Sequence, residues 1–456
     1  MTTVVVIGGD AAGMSAASKV KRELQDADVI VYEKTETISY SACGMPYWIA
    51  GVVESEDQLL VMSPEKAKAK RGLDVHIHHE VTAIDPAAKT IEGINHATGA
   101  RFTQAYDTLM IATGARAVLP PIPGMDLPGV FTLRAFDDSR RIQRYLAEYD
   151  PAHAVIIGGG YIGIEMAEAL RERELDVHLV EMLPQLMPNF DDDMVGDITQ
   201  HVQEQGVTLH LSTRAERVEK EGERLRVTLS DGSSLVTDMV LVSVGVRPNS
   251  ELAQAAGLAV GKSGAITVDA RMRTSDPDIY AAGDCVEYEH IVLGAPVWIP
   301  LAPSANKGGR VAGDNMSGGD TTFPGILGTA VVKVFDYTMS VTGLTERSAR
   351  ASGKFGADGE DVGAAITSGT DKAGYWPGAA KITVKLVFQK STGKILGAQL
   401  VGKAGVNKRI DIVAAAISGG LTVRDLGMMD LSYAPPFSPT YDPLQVCANV
   451  AEKQVG

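Results

Sequence analysis

One pattern, met twice 150 residues apart, leaves this chain few folds to choose from. Thr3-Val-Val-Val-Ile7 is a continuous apolar, β-branched run of the kind a parallel strand buried on both faces requires. Gly8-Gly-Asp-Ala-Ala12-Gly13 follows, then a helical stretch to Arg22 and a second strand, Asp28-Val-Ile-Val-Tyr32, ending at Glu33. The second copy reads Ala154-Val-Ile-Ile157, Gly158-Gly-Gly160-Tyr161-Ile162-Gly163, a helix through Leu170, the strand Asp176-Val-His-Leu-Val180, and Glu181. Three glycines at this spacing allow a tight turn, backbone approach to a pyrophosphate at a helix N-terminus, and close helix–strand packing. Each acid stands where a carboxylate can accept hydrogen bonds from the hydroxyls of an adenosine ribose. Asp10 replaces the middle glycine of the first copy, so its carboxylate must point away from the phosphates.

Two dinucleotide sites in one chain imply electron transfer between their ligands. The charge of Glu181 repels a 2′-phosphate and no arginine follows it directly, which predicts NADH over NADPH. At about 150 residues per domain, 456 residues make roughly three domains. A net charge of −15 works against binding a nucleic-acid backbone or an anionic membrane surface. The charge-free stretch 291–306 is broken by Pro296, Pro300 and Pro303, and no basic region precedes the first apolar run; a soluble cytoplasmic protein is expected. Only Cys43, Cys285 and Cys447 occur, with no CxxC spacing, so neither a disulfide framework nor a zinc or iron–sulfur site is expected and any sulfur chemistry uses single thiols.

Further segments give the division. Tyr106 to Gly114 reads as a strand entering a small-residue turn, and Pro120-Pro-Ile-Pro-Gly124 as a hinge. The strand Met239 to Val246, ahead of the loop Arg247-Pro-Asn249, mirrors it on the return. Thr274 to Asp284 places a carboxylate after a buried strand, and from about Phe323 alternating strands, such as 381–389, and a helix from Asn407 to Ser418 mark a third domain. The expectation is an α/β chain with two Rossmann-like domains, the first (1–116 and 246–322) interrupted by the second (117–245), and an α+β domain at 323–456.

These residues resemble the FAD-dependent pyridine nucleotide-disulfide oxidoreductases over nearly the whole chain. The resemblance implies FAD held by Gly8, Ala12, Gly13, Glu33, Lys34, Val81, Ala112, Thr113, Gly114, Asp284, Leu301 and Ala302. It places NADH on Gly158, Gly160, Tyr161, Ile162, Gly163, Glu181 and Gly245, with Tyr161 covering the flavin until the nicotinamide displaces it. It also makes the third domain a dimerisation domain.

The segment Ser39-Tyr-Ser-Ala42-Cys43-Gly-Met-Pro-Tyr-Trp48 has tryptophan where the two-cysteine members carry their second cysteine, and all nine histidines lie at or before His290, which removes their C-terminal base. The single-cysteine branch remains: coenzyme A-disulfide reductase, its persulfide- and polysulfide-reducing relatives, NADH oxidase and NADH peroxidase. Ala11 stands where the peroxidase and oxidase types that cycle through a sulfenic acid carry a histidine, which weakens the peroxidase reading. Ser39-x-x-x-Cys43, with Tyr375 in Ala373-Gly-Tyr-Trp-Pro-Gly378 and Tyr433 in Tyr433-Ala-Pro-Pro436, resembles the coenzyme A-disulfide reductase pattern, in which the tyrosines reach across a homodimer to the partner's cysteine and one donates a proton to the departing thiolate.

Reduction of coenzyme A-disulfide, or of a coenzyme A persulfide or polysulfide, through a Cys43–coenzyme A mixed disulfide is the resulting expectation. Lys19, Arg22, Ser39, Ala42, Asn306 and Arg310 are the substrate-binding candidates. Ala42 departs from a frequent asparagine and leaves room for another small disulfide. Cys43 is expected at a helix N-terminus or beside donors, Ser39 among them, that lower its pKa, while Cys285 and Cys447 are expected to be inert. NADH oxidase acting on dioxygen and a flavoprotein redox sensor are the other readings.

Overall fold

The computed structural model describes residues 2–456. Thr3–Ile7 lies at the centre of a five-stranded sheet between Asp28–Tyr32 and Thr108–Ile111, with Val5 opposite both Ile30 and Leu109. Asp74–His76 and Ile279–Ala281 form its edges, and every pairing is parallel. Both faces are covered, which is why Val4, Val5 and Val6 are fully buried and the strand reads as an unbroken apolar run. Ile279–Ala281 comes after the second glycine motif, so the chain leaves this sheet, builds another and returns to finish the first.

The second sheet is also five-stranded and parallel, in the order Val207–His210, Asp176–Val180, His153–Ile157, Met239–Val242, Val130–Thr132. The outgoing and returning passages between the sheets run side by side, Ala115–Ala117 pairing antiparallel with Val246–Pro248. The third sheet is antiparallel, in the order Ala330–Val334, Tyr337–Gly343, Ile395–Gly402, Lys381–Gln389, Val362–Thr370. Helices Val406–Ser418 and Pro443–Glu452 cover it, within one residue of the sequence expectation for the first. Among the described residues no helix is long and apolar enough to cross a membrane.

One buried cation ties the end of the chain to the third sheet. Arg409 is 0% exposed; its Nε donates to both carboxylate oxygens of Asp442 at 2.9 and 3.0 Å, and its other nitrogens donate to the carbonyls of Asp371 and Gly405 at 3.0 Å each. Asp371 opens the loop that bears Tyr375, and Asp442 closes the one that bears Tyr433. The amide of Ala373 donates to Pro435 O at 3.1 Å and joins the two loops directly. Removing one member leaves the other charge buried and uncompensated, so Asp442→Ala should cost about 3–5 kcal/mol in chemical denaturation. It should also free the 430–442 segment for proteolysis before global unfolding.

Candidate functional site

Three helix N-termini are built alike. Ala11–Glu23, Tyr161–Glu172 and Ala302–Met316 each start without a side-chain cap and without an acid in the first turn. Their first amides are therefore unclaimed by side chains, and each helix end carries partial positive charge. The first two follow glycine turns at the carboxyl ends of central parallel strands, where doubly wound sheets bind nucleotides. A Cβ on Gly8 (φ +106°) would stand 2.2 Å from Ala112 O, and one on Gly13 1.9 Å from Gly8 O. The second turn repeats this, Gly163 facing Gly158 O at 1.9 Å, while a Cβ on Gly160 would meet nothing within 4 Å. That open space is where backbone can approach a pyrophosphate. At the corresponding position of the first turn, Asp10 swings aside, its Oδ1 accepting from the amide of Tyr40 at 3.4 Å. Burial raises its pKa to about 6.

Both acids sit at their expected strand ends. Glu33 accepts from the amide of Gly9 at 2.8 Å and from the amide and hydroxyl of Thr35; Glu181, 6% exposed, accepts from the amides of Gly159 at 2.7 Å and Leu183 at 2.8 Å. Each carboxylate is thus oriented across its glycine turn, an acceptor suited to the ribose hydroxyls of a dinucleotide. The Ala112-Thr113-Gly114 turn is locked to the returning chain: Thr113 Oγ1 donates to Asn249 O at 2.5 Å and Asn249 Nδ2 to Thr113 O at 2.8 Å. Asp284 follows Ile279–Ala281, mostly buried, and its Oδ2 accepts from Arg134 Nη2 at 2.6 Å. Burial raises the Asp284 carboxyl and Arg134 opposes the shift. Leu301 and Ala302 begin the third helix, Val81 is buried in the first core, Gly245 takes φ +114° in the returning crossover, and Lys34 is exposed.

Cys43 lies in the one-turn 3-10 helix Ala42–Gly44, which runs straight into Met45–Ala50. That short helix packs against Tyr161–Glu172, and Met45, Ile49 and Ile164 share one apolar core. Cys43 therefore stands directly ahead of a helix whose apolar side is buried in the second fold. Its side chain reaches solvent, whereas Cys285 and Cys447 are fully buried.

The expectation of a depressed thiol pKa is corrected within this chain. Burial and then the negative charge of Glu165 push Cys43 up, with Arg134 pulling the other way. Among the described residues Ser39 makes no hydrogen bond to Cys43; at φ +46° it instead shapes the loop, its amide donating to Gly9 O at 2.8 Å.

Tyr375 and Tyr433, 77% and 51% exposed, lie close enough to each other for Tyr433 to act on the Tyr375 hydroxyl. The two loops therefore present one exposed aromatic pair, not two separate side chains. Lys19, Leu301 and Arg310 line one cavity of about 640 Å³, while Arg22, Ser39, Ala42 and Asn306 lie outside its lining. Lys19 is already held by Asp314 at 2.8 Å and Glu23 at 2.6 Å. Arg310 and Lys307, without ion pairs among the described residues, carry the cavity's uncompensated positive charge. Asn306 Oδ1 accepts from Ser15 Oγ at 2.8 Å, linking the first and third of these helices.

Sequence reasoning missed Arg134, Asn249, Lys307 and Glu165. The first three carried no local signal, each being a single polar residue in an ordinary turn or helix. Glu165 was legible in principle, one helical turn after Tyr161 on the same face.

The pattern of the Pyridine nucleotide-disulphide oxidoreductases matches residues 2–309, and that of their dimerisation domain residues 329–443. The chain belongs to this family. Enzymes of the family work with FAD and a nicotinamide nucleotide. The chain is 40% identical over 447 residues to the NAD(P)H coenzyme A polysulfide/persulfide reductase of Pyrococcus horikoshii, covering 98% of each. Among solved structures it resembles a NAD-dependent persulfide reductase from A. fulgidus with TM-score 0.95 and 40% identity, over 99% of this chain and 83% of that one. It also resembles the water-forming NADH oxidase of Lactobacillus brevis, TM-score 0.94 and 30% identity, over 100% and 99%. One backbone thus serves both sulfur and oxygen chemistry, and the reaction must be argued from side chains.

Iodoacetamide applied to the folded, reduced protein should label Cys43 alone, with Cys285 and Cys447 reacting only after denaturation; peptide mass spectrometry gives the count. Because the Cys43 thiol is raised, the labelling rate should keep climbing above the ordinary thiol range near pH 8.5.

Proposed function

We propose that this protein is an NADH-dependent flavoprotein that reduces coenzyme A persulfide, coenzyme A polysulfide or coenzyme A-disulfide through a mixed disulfide on Cys43. The carrying observation is Cys43 itself: one accessible thiol just ahead of the helix by which the first fold packs on the second, with the other two cysteines sealed in cores. The name of the 40% identical relative supports sulfur over oxygen as the oxidant, as does Ala11 where an oxidase- or peroxidase-type histidine would stand.

In this reading FAD lies along the first glycine turn, Glu33 and Asp284, and supplies a two-electron relay between nicotinamide and sulfur. NADH lies along Gly158–Gly163 and Glu181. Residues 1–116 with 246–322 hold the first nucleotide, 117–245 the second, and 323–456 pair two copies of the chain. Arg134 opposes the effect of burial on Asp284 and holds its carboxyl in place to accept from a ligand hydroxyl.

The Cys43 thiolate attacks the inner, coenzyme A-bearing sulfur of a persulfide, or one sulfur of the disulfide; the S–S bond there breaks, the mixed disulfide with Cys43 forms, and hydrosulfide or the coenzyme A thiolate leaves. Tyr375 and Tyr433, exposed on one protomer, hydrogen-bond the departing thiolate on its partner. Arg310 and Lys307, in the lining of the cavity that Lys19 shares, provide the local positive charge that an acidic protein needs for the phosphates of coenzyme A.

Cys43→Ser should lower anaerobic NADH oxidation by coenzyme A persulfide at least a hundredfold while flavin content is unchanged; persistence of that activity refutes the thiol cycle. Intact mass of unreduced protein should show about one coenzyme A per chain, released by dithiothreitol. Glu181→Ala with Met182→Arg should move the kcat/KM ratio toward NADPH by tenfold or more, about 1.4 kcal/mol. Unchanged selectivity would contradict the placement of that carboxylate at the ribose.

A further inference from the structure

The segment that bears Cys43 belongs to the first fold, yet one helix of the second fold grips it on both sides of the cysteine. This helix, Phe136–Tyr149, follows Val130–Thr132, the edge strand of the second sheet, and its first residue, Phe136, is buried. The Phe136 ring meets two aromatic rings that bracket the cysteine in sequence. Tyr40 lies with its centroid 5.2 Å away, and Trp48 is stacked at 5.9 Å with an interplanar angle of 10°.

One turn further along, the guanidinium of Arg140 lies over the same ring, 4.9 Å from its centroid. Arg140 Nε and Nη2 form a fork on the Glu56 carboxylate at 2.8 and 3.2 Å, and Nη1 donates to Glu36. Glu36 and Glu56 again stand on opposite sides of Cys43 in the chain. A further turn on, Gln143 Nε2 donates to Trp48 O at 2.7 Å. Arg173 Nε, just past the end of Tyr161–Glu172, donates to Ile49 O at 2.8 Å. These two carbonyls lie in the last turn of the short helix after the cysteine, where the helix itself supplies no donor.

Arg140 and Glu56 have side chains 22% and 37% exposed, so their pairing contributes little to global stability. A bidentate fork stacked on a buried ring fixes direction instead. Thiol exchange depends on direction: the attacking sulfur must line up with the bond it breaks, and a misplacement of about 1 Å can cost roughly a hundredfold in rate.

We infer that Phe136 and Arg140 are positioning residues for Cys43, closing on both flanks of its segment and setting where its sulfur stands. Neither needs to touch the substrate. The consequence for turnover rests on the thiol cycle proposed above.

Two measurements on the FAD-loaded protein test this. In Arg140→Gln, single-turnover release of coenzyme A from coenzyme A-disulfide by the reduced protein should slow roughly tenfold at saturation, with the half-saturating concentration changed by less than about twofold. Bleaching of the flavin by NADH, which does not use the thiol, should stay within about twofold of wild type. Arg140→Lys keeps the charge but loses the fork and should be slowed almost as much. Glu56→Gln should be slowed too, and the double variant with Arg140→Gln should be no slower than the slower single one. Full recovery in Arg140→Lys makes charge alone responsible and overturns the inference. Equal slowing of flavin bleaching marks general damage to the second fold and does the same.

The second measurement needs no substrate. Alkylation of Cys43 by iodoacetamide at fixed pH should accelerate roughly threefold in Arg140→Gln and in Glu56→Gln, as the loosened segment opens more often. An unchanged rate in both variants overturns the inference whatever turnover shows. Faster alkylation in a protein that reduces no coenzyme A substrate leaves the positioning intact and removes the substrate reading, so the two fail separately.

Discussion

Two turns in which a helix meets a strand closer than any side chain permits are what the rest of this molecule hangs on. At Gly8–Gly13 and again at Gly158–Gly163 the helix backbone approaches the turn carbonyl so closely that a single Cβ would stand 1.9 Å from an oxygen. That contact aims the helix N-terminus across the carboxyl ends of the parallel strands and holds Glu33 and Glu181 against the amides of Gly9 and Gly159. A third helix repeats the approach without a strand. Gly309 and Gly313 of Ala302–Met316 let it pack on Ala11–Glu23, where added Cβ atoms would meet Ala12 O at 2.3 Å and Ala16 O at 2.6 Å. Three uncapped helix ends become available to anionic ligands because glycine permits the packing, not because of any charged side chain.

The thiol is positioned by a different logic. Cys43 belongs in sequence to the first nucleotide fold, yet the short helix after it buries Met45 and Ile49 in the core of the second. Apolar burial thus helps to hold Cys43 where the two folds meet. The electrostatic consequence is mixed: Arg134 stabilises a thiolate there, while Glu165, Asp284, Asp10 and the surrounding protein oppose it. A thiol set against carboxylates is poorly served as a nucleophile by this chain's own charges.

Much of the fold was legible in the chain. β-Branched runs, glycine spacing and strand-end acids announce the two parallel sheets, since a strand covered on both faces has no room for polar residues. The strand 381–389 showed itself through the alternation of Lys381, Thr383 and Lys385 with apolar neighbours, although Lys385 proves to be only 3% exposed, buried among Asp191, Asp193 and Glu346. Alternation gives a strand's faces but not what covers them, and here a loop of the second fold brings Asp191 and Asp193, and the helix Glu346–Ala351 brings Glu346, onto the outward face. Arg409 is the opposite case. Its position in an ordinary amphipathic helix gave no hint that its guanidinium would gather the segments bearing Tyr375 and Tyr433.

The sequence by itself determined the two nucleotide folds, their nesting, and the presence of one cysteine in a context unlike the other two, because those properties follow from local spacing and composition. Tertiary structure alone decided which charges surround that cysteine, that Lys19 is neutralised while Arg310 is not, and that Tyr375 meets Tyr433. The physical reason is range: steric demands of a glycine turn act within a few residues. The charge felt by a buried group is set by whatever the fold brings near it, from any distance along the chain.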